Sequence, residues 1–94
     1  MSKKIILEWD EQKRHRNIVE HGIDFEDATD VFYDPNMQVY LDERHDYGEE
    51  RFNAYGLSKS RRLRVCFTIR NGIYRIITVF KVHEKEWDKR YVVL

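Results

Sequence analysis

Asn71-Gly72 stands between two runs of alternating character, Arg61 to Arg70 and Ile73 to Val82. An Asn-Gly pair in that setting is the strongest short-range signal for a β-hairpin, because a type I′ turn needs positive φ at both central residues. A two-residue turn also sets the register, since directly opposite residues share a face and a slip of one residue turns every side chain over. The regular register predicts Arg70 opposite Ile73, Thr68 opposite Arg75, Cys66 opposite Ile77, Arg64 opposite Val79 and Arg62 opposite Lys81, all on one face. The other face collects Leu63, Val65, Phe67, Ile69, Tyr74, Ile76, Thr78, Phe80 and Val82, and is predicted to be core. The first face then carries Arg62, Arg64, Arg70, Arg75 and Lys81. A solvated strand face rich in Arg and Thr is ordinary in an antiparallel sheet, while a rigid array of cations is also a surface that can meet an anion. The hairpin alone leaves both readings open.

The rest of the chain supplies short elements around this hairpin. Ile5 to Trp9 reads as a strand. Asp10 is an N-cap with Glu11 in the first turn behind it, and the helix runs to His21, stopped by Gly22. It is mostly polar and is expected to pack through Trp9, Ile18, Val19 and Ile23. A second helix begins at Asp24, shows one apolar face in Phe25, Ala28, Val31 and Phe32, and ends before Pro35. Residues 37 to 42 alternate as a half-buried strand, Asp42 to Glu50 reads as a charged loop, Arg51 to Leu57 resumes alternation, and Ser58 to Arg61 forms the turn into the hairpin. His83 to Tyr91 reads as a last short helix anchored by Trp87. The expected fold class is α+β: an N-terminal strand and two helices, a four-stranded antiparallel meander, and a C-terminal helix, in one domain spanning residues 1–94.

Composition limits the functions open to such a domain. With 41% hydrophobic and 14% aromatic residues the chain has the material for one modest core. No apolar run approaches membrane-spanning length and no signal-peptide pattern is present, so a cytoplasmic protein with no membrane association is expected. Cys66 is the single cysteine, which fits a reducing compartment. A formal net charge of zero conceals an asymmetry: residues 1–50 hold 14 acidic and 6 basic side chains, and residues 51–94 hold 3 acidic and 11 basic. Such asymmetry suggests nucleic-acid contact by the basic half, or halves that attract one another within one fold.

The order of elements and several residue groups resemble the BrnT toxins of type II toxin–antitoxin systems. Glu8-Trp9-Asp10-Glu11 with Lys13 and Asn17, then His21-Gly22-Ile23 and Phe25-Glu26-Asp27-Ala28, resemble the N-terminal signature of that family. Val31-Phe32, Asp34-Pro35, His45 to Glu50 leading into Arg51, and Gly56-Leu57 resemble its middle; Arg75-Ile76-Ile77-Thr78 with Lys81 and Glu86 resemble its C-terminal part. The resemblance covers nearly the whole chain. It implies a RelE-like fold, a growth-arresting ribonuclease, and neutralisation by a DNA-binding BrnA-like antitoxin, with operator DNA contacted only through that antitoxin. One position departs from the family: Phe80 stands where an arginine usually precedes the lysine of the last strand. Either a bulge changes the local geometry or a cation is missing.

RNA cleavage without a metal requires a base for the 2′-hydroxyl, cations for the crowded phosphorane, and an acid for the leaving 5′-oxygen. Glu86, which matches the family motif, is the candidate base; an ordinary salt bridge to Lys85, Lys89 or Arg90 is the competing reading. Arg64 and Lys81 are assigned to the catalytic clamp and His83 to the acid, against a solvated histidine at a helix start. Arg51, Arg62 and Arg75 are candidates for RNA binding, joined by Tyr91 as a stacking or packed aromatic. No cofactor or metal is expected, since His15, His21, His45 and His83 form no helix-spaced pair. His45 among Asp42, Asp46, Glu49 and Glu50 reads as an acidic solvated loop that orders Arg51. Two alternatives remain: a non-catalytic toxin-like module that serves as antitoxin partner and co-repressor, and a small structural protein.

Overall fold

Asn71 (φ 53°) and Gly72 (φ 76°) both take the left-handed conformation in the computed structural model, which describes residues 4–43 and 48–93. They join β4 (Arg61–Arg70) to β5 (Ile73–Lys81). Ahead of this hairpin lie β1 (Leu7–Glu8), α1 (Glu11–His21), a 3₁₀ turn (Phe25–Asp27), α2 (Ala28–Tyr33), β2 (Gln38–Leu41) and β3 (Phe52–Ser58); α3 (Glu84–Arg90) follows it. The sheet order is β1-β5-β4-β3-β2. The last four strands form the expected antiparallel meander, but β1 adds to β5 in parallel, with Leu7 opposite Tyr74 and Glu8 opposite Arg75. The fold is therefore α+β with a mixed, five-stranded sheet and three helices among the described residues.

Capping chemistry accounts for the helix ends. Asp10 accepts hydrogen bonds from the backbone N–H groups of Gln12 (2.8 Å) and Lys13 (3.2 Å), and Gly22 (φ 70°) closes α1 with its N–H on the Ile18 carbonyl. Asp24 caps the 3₁₀ turn through Glu26 N–H at 3.0 Å, so the second helix starts α-helical only at Ala28. Its apolar face lands as expected, with Phe25, Ala28, Val31 and Phe32 all buried beneath the sheet residues Leu63, Val65 and Phe67.

Two expectations fail. The first concerns α1. Ile18 is 38% and Val19 71% exposed, so neither carries the packing. The buried residue of α1 is Asn17, whose carboxamide donates to the Val79 carbonyl (2.7 Å) and the Ile23 carbonyl (2.9 Å) and accepts from Val79 N–H (3.2 Å). β1 is too short to pair with that end of β5, and one side chain takes the place of the missing neighbouring strand, satisfying both backbone groups of Val79.

The second concerns the hairpin register. It is regular from Arg70–Ile73 to Phe67–Ile76, then shifts by one, so that Cys66 lies opposite Thr78, Val65 opposite Val79, Arg64 opposite Phe80 and Leu63 opposite Lys81. Ile77 is the extra residue of a β-bulge. Beyond it the predicted faces of β5 are exchanged: Val79 is fully buried in the main core, Phe80 joins Arg64, and Lys81 leaves the cationic face for the side of Leu63. Ile69, expected in the core, is 45% exposed near the turn. Val82 packs with Tyr55 and Trp87 in a second, smaller cluster on the opposite face. Trp87 buries its side chain there and anchors α3 to the sheet.

Candidate active site

The face carrying α3 owes its geometry to three elements. The two-residue turn at Lys59 (φ 49°) and Ser60 (φ 66°) sets Tyr55 directly opposite Arg64. The bulge sets Phe80 opposite Arg64 on the other side. Trp87 fixes the rotation of α3 so that Glu86, one residue earlier, faces the sheet. The result is a compact cluster: Tyr55 Oη donates to Glu86 Oε2 at 2.5 Å, and Arg64 Nη1 donates to the same oxygen at 3.0 Å. The Arg64 guanidinium lies over the Phe80 ring at 4.2 Å, a cation–π contact that restrains it from below.

This cluster forms the wall of a cleft of about 650 Å³, completed by Tyr40, Asp42, Asn53 and Arg90. Tyr40 is itself held by Tyr55, edge to face at 5.7 Å, and by Arg90, whose carbonyl accepts its hydroxyl at 2.8 Å. Arg64 is only 15% exposed at its side chain, whereas Glu86 is 41% exposed and reaches the solvent. Two polar atoms of the cleft, Arg64 Nε and Asn53 Oδ1, are buried with no hydrogen-bond partner among the described residues. Buried donors and acceptors are ordinarily satisfied, so these two atoms mark where the cleft wall is short of polar partners.

The electrostatics separate the two proton-bearing groups. The Tyr55 hydroxyl and then the Arg64 charge hold the Glu86 carboxyl below its usual range, against the opposing effect of partial burial. Burial pushes the Tyr55 phenol up, and the Glu86 carboxylate adds to it, while Arg64 acts the other way. At neutral pH the cleft thus presents an ionised carboxylate, a neutral phenol and a guanidinium within one hydrogen-bonded unit. The carboxylate is able to accept a proton and the phenol to donate one.

Of the residues anticipated as a site, Glu86 and Arg64 are brought together. Arg62 is exposed one pair further along β4, opposite Leu57, and Arg51 precedes β3 with its carbonyl accepting from Asp42 N–H at 2.8 Å. The others lie apart from the cleft. Lys81 is exposed opposite Leu63 on the other side of the sheet, and His83 is an exposed residue at the N-cap of α3 whose side chain makes no capping bond. Arg75 lies 3.5 Å from Glu8 of β1. Tyr91 stacks on Trp87 at 4.2 Å and donates to Asp34 at 2.7 Å, which makes it the packed aromatic. Glu86 pairs with Arg64, not with Lys85, Lys89 or Arg90. In the acidic loop Glu49 pairs with Arg70 at 3.0 Å; His45 and Asp46 lie outside the described residues. Among the described residues no group of three His, Cys, Asp or Glu side chains is placed to hold a metal.

Tyr55 was not anticipated; Phe80 was singled out as a departure from the family, and of the two explanations offered for it the bulge is present and sets it beside Arg64. Tyr55 was within reach, because reading Lys59-Ser60 as a two-residue turn places it opposite Arg64 by counting.

Residues 9–86 match the family of ribonuclease toxins, BrnT, of type II toxin–antitoxin systems. The chain belongs to the BrnT family. No curated protein is a significant match to it. The BrnT match takes in α1, the four antiparallel strands β2 to β5 and α3 as far as Glu86, so every residue of the Tyr55–Arg64–Glu86 cluster falls inside it. A BrnT toxin of a type II system has an antitoxin as its partner. No helix among the described residues is long and apolar enough to cross a membrane.

Proposed function

We propose that the chain is a cytoplasmic endoribonuclease toxin of RelE-like fold that arrests growth by cleaving RNA in the cleft beside α3, and that a DNA-binding, BrnA-like antitoxin neutralises it and carries it to operator DNA. The observation that supports this most is the cluster of Tyr55, Arg64 and Glu86 around one carboxylate oxygen. In this reading the ionised Glu86 takes the proton from the ribose 2′-hydroxyl as its oxygen attacks phosphorus. Arg64 stabilises the charge that collects on the non-bridging oxygens. As the bond from phosphorus to the 5′-oxygen breaks, the Tyr55 hydroxyl is the nearest proton donor for the leaving oxygen. The requirement for a 2′-hydroxyl makes RNA, not DNA, the substrate. Arg62 and Arg51, on the same face by strand alternation, extend the phosphate track. The lowered pKa of Glu86 weakens it as a base.

The test is induction of the chain in a host, with total RNA examined at early times, beside cleavage of RNA by the purified protein. Glu86→Gln and Arg64→Ala are each expected to lower cleavage by about 100-fold or more, the scale of a general base or a charge-stabilising donor, and to relieve growth arrest. Lys81→Ala, on the opposite side of the sheet, is expected to lose much less. Parent-like cleavage and toxicity in both cleft variants would sink the assignment. A second reading, a non-catalytic partner that acts with the antitoxin as co-repressor, is favoured by the ion pair that already occupies Arg64; an intact RNA pool after induction of folded protein would select it.

A further inference from the structure

Helices that pack on a sheet ordinarily do so by an apolar stripe. The side of α1 that faces β5 is polar: Lys13, Asn17 and His21 recur along it at intervals of four, with Arg16 and Glu20 beside them. Asn17 makes the hydrogen-bonded attachment, through the backbone of Val79. Lys13 and Arg16 are exposed and take no part in it. With Glu20, His21, Ile77 and Thr78 they rim a hollow of about 150 Å³ between α1 and β5. Among the described residues neither Lys13 nor Arg16 forms a side-chain ion pair, unlike Arg14 in the same helix, which is bound to Asp24 and Glu11.

Phe80 joins this hollow to the cleft. Its ring, half-buried, lies 5.7 Å from that of His21, tilted by 35°, and carries the Arg64 guanidinium at 4.2 Å. Phe80 thus links Arg64 and its partner Glu86 to His21, which stands on the same helix as Lys13 and Arg16. Exposed aromatic rings flanked by unpaired cations are the ordinary means of holding single-stranded nucleic acid, the ring taking a base and the cations its backbone.

We propose that the hollow between α1 and β5 is a nucleotide subsite for single-stranded RNA, in which the base next to the scissile phosphate lies against the exposed His21 ring, backed by Phe80, and its backbone phosphate lies on Lys13 and Arg16. This rests on the ribonuclease reading and extends its substrate from one phosphate to a strand. The bulge is what makes the subsite: without it Phe80 would face the main core and the path from Arg64 to His21 would be broken. Glu20 is the one carboxylate among the lining residues, against the three basic side chains of Lys13, Arg16 and His21.

The experiment is fluorescence-anisotropy titration of a short labelled single-stranded RNA with the full chain carrying Glu86→Gln, so that the RNA is not consumed, repeated over a range of salt. Adding Lys13→Ala with Arg16→Ala should weaken binding and flatten the dependence of log affinity on log salt by about 0.7 for each phosphate no longer neutralised. Adding His21→Ala should weaken binding about fivefold or more, the lower end for removal of a stacking partner, with the salt slope unchanged. Lys59→Ala, a cation removed from the β3–β4 turn, serves as the control and should leave affinity and slope alone. Affinities and slopes of the α1 variants equal to those of the Glu86→Gln chain would overturn the subsite, and so would failure of that chain to bind RNA. RNA binding that falls in the α1 variants while the unaltered chain cleaves nothing would leave the subsite standing and remove the catalytic reading.

Discussion

Gly56 marks a close approach of β3 to α2 that leaves no room for a side chain. A Cβ there would lie 2.9 Å from Val31 Cγ1 and 3.1 and 3.2 Å from the Val31 carbonyl oxygen and Cα. The backbone of α2 cannot withdraw without opening the core under Val31 and Phe32. Gly56→Ala is expected to destabilise the fold by about 1–3 kcal/mol, as overpacking of a filled core does, seen as a lower urea midpoint at an unchanged slope. An unchanged midpoint would mean that α2 shifts freely. In the sequence Gly56 shows only as a glycine in a strand, and nothing near it in the chain reveals Val31. Glu86 and Arg64 were more legible, because helix position and strand parity are local properties, whereas the Tyr55 hydroxyl completing their cluster depended on a turn between two non-glycine residues.

The elements of this fold were legible wherever a cap or turn residue marks them. Asp10, Gly22, Asp24, Pro35 and Asn71-Gly72 all bound the elements they were expected to bound. What escaped was how elements meet. A β-bulge has no sequence signature at Ile77, and β1 pairs with a strand more than sixty residues away. The seat of α1 was misplaced because apolar Ile18 and Val19 suggest a packing face, while the true one is a single amide. Asn17→Ala should therefore cost more than Ile18→Ala. Two backbone groups of Val79 would be left without partners, each worth about 1–3 kcal/mol when no water replaces the amide, while Ile18 is already partly in solvent. Thermal melts would show the difference, and faster hydrogen exchange at the Val79 amide would place it. Equal effects of the two changes would mean that α1 packs by its apolar side after all.

For the molecule as a whole, the opposed charge of the two halves is partly spent on joining them. Arg61 reaches Asp27 at 2.7 Å, Arg70 reaches Glu49 at 3.0 Å and Arg75 reaches Glu8 at 3.5 Å, each pairing a base of residues 51–94 with an acid of residues 1–50. Exposed pairs of this kind contribute little one by one. Their common direction still matters. Asp10, Asp24, Asp34, Glu49 and Glu86 are all held below the ordinary carboxylate values of 3.8 and 4.5: Glu49 through Arg70, Asp24 through Arg14, and Asp34 by the N–H groups of Asn36 and Leu57 with Tyr91, which together outweigh its burial. A depressed carboxyl adds stability above its unfolded pKa and gives it up as pH falls through the folded one. The melting temperature is thus expected to be level near neutrality and to decline progressively below about pH 4.5, and a profile flat into strong acid would contradict these assignments. The pair of Arg64 and Glu86 stands outside this exchange, since both belong to the basic half. A phosphate seated on Arg64 competes with Glu86 for one positive charge, and the more of it the phosphate takes, the more proton affinity returns to the carboxylate beside the ribose. On the ribonuclease reading the toxin is muffled by its own counter-ion while it waits, and the arriving strand itself lifts the restraint.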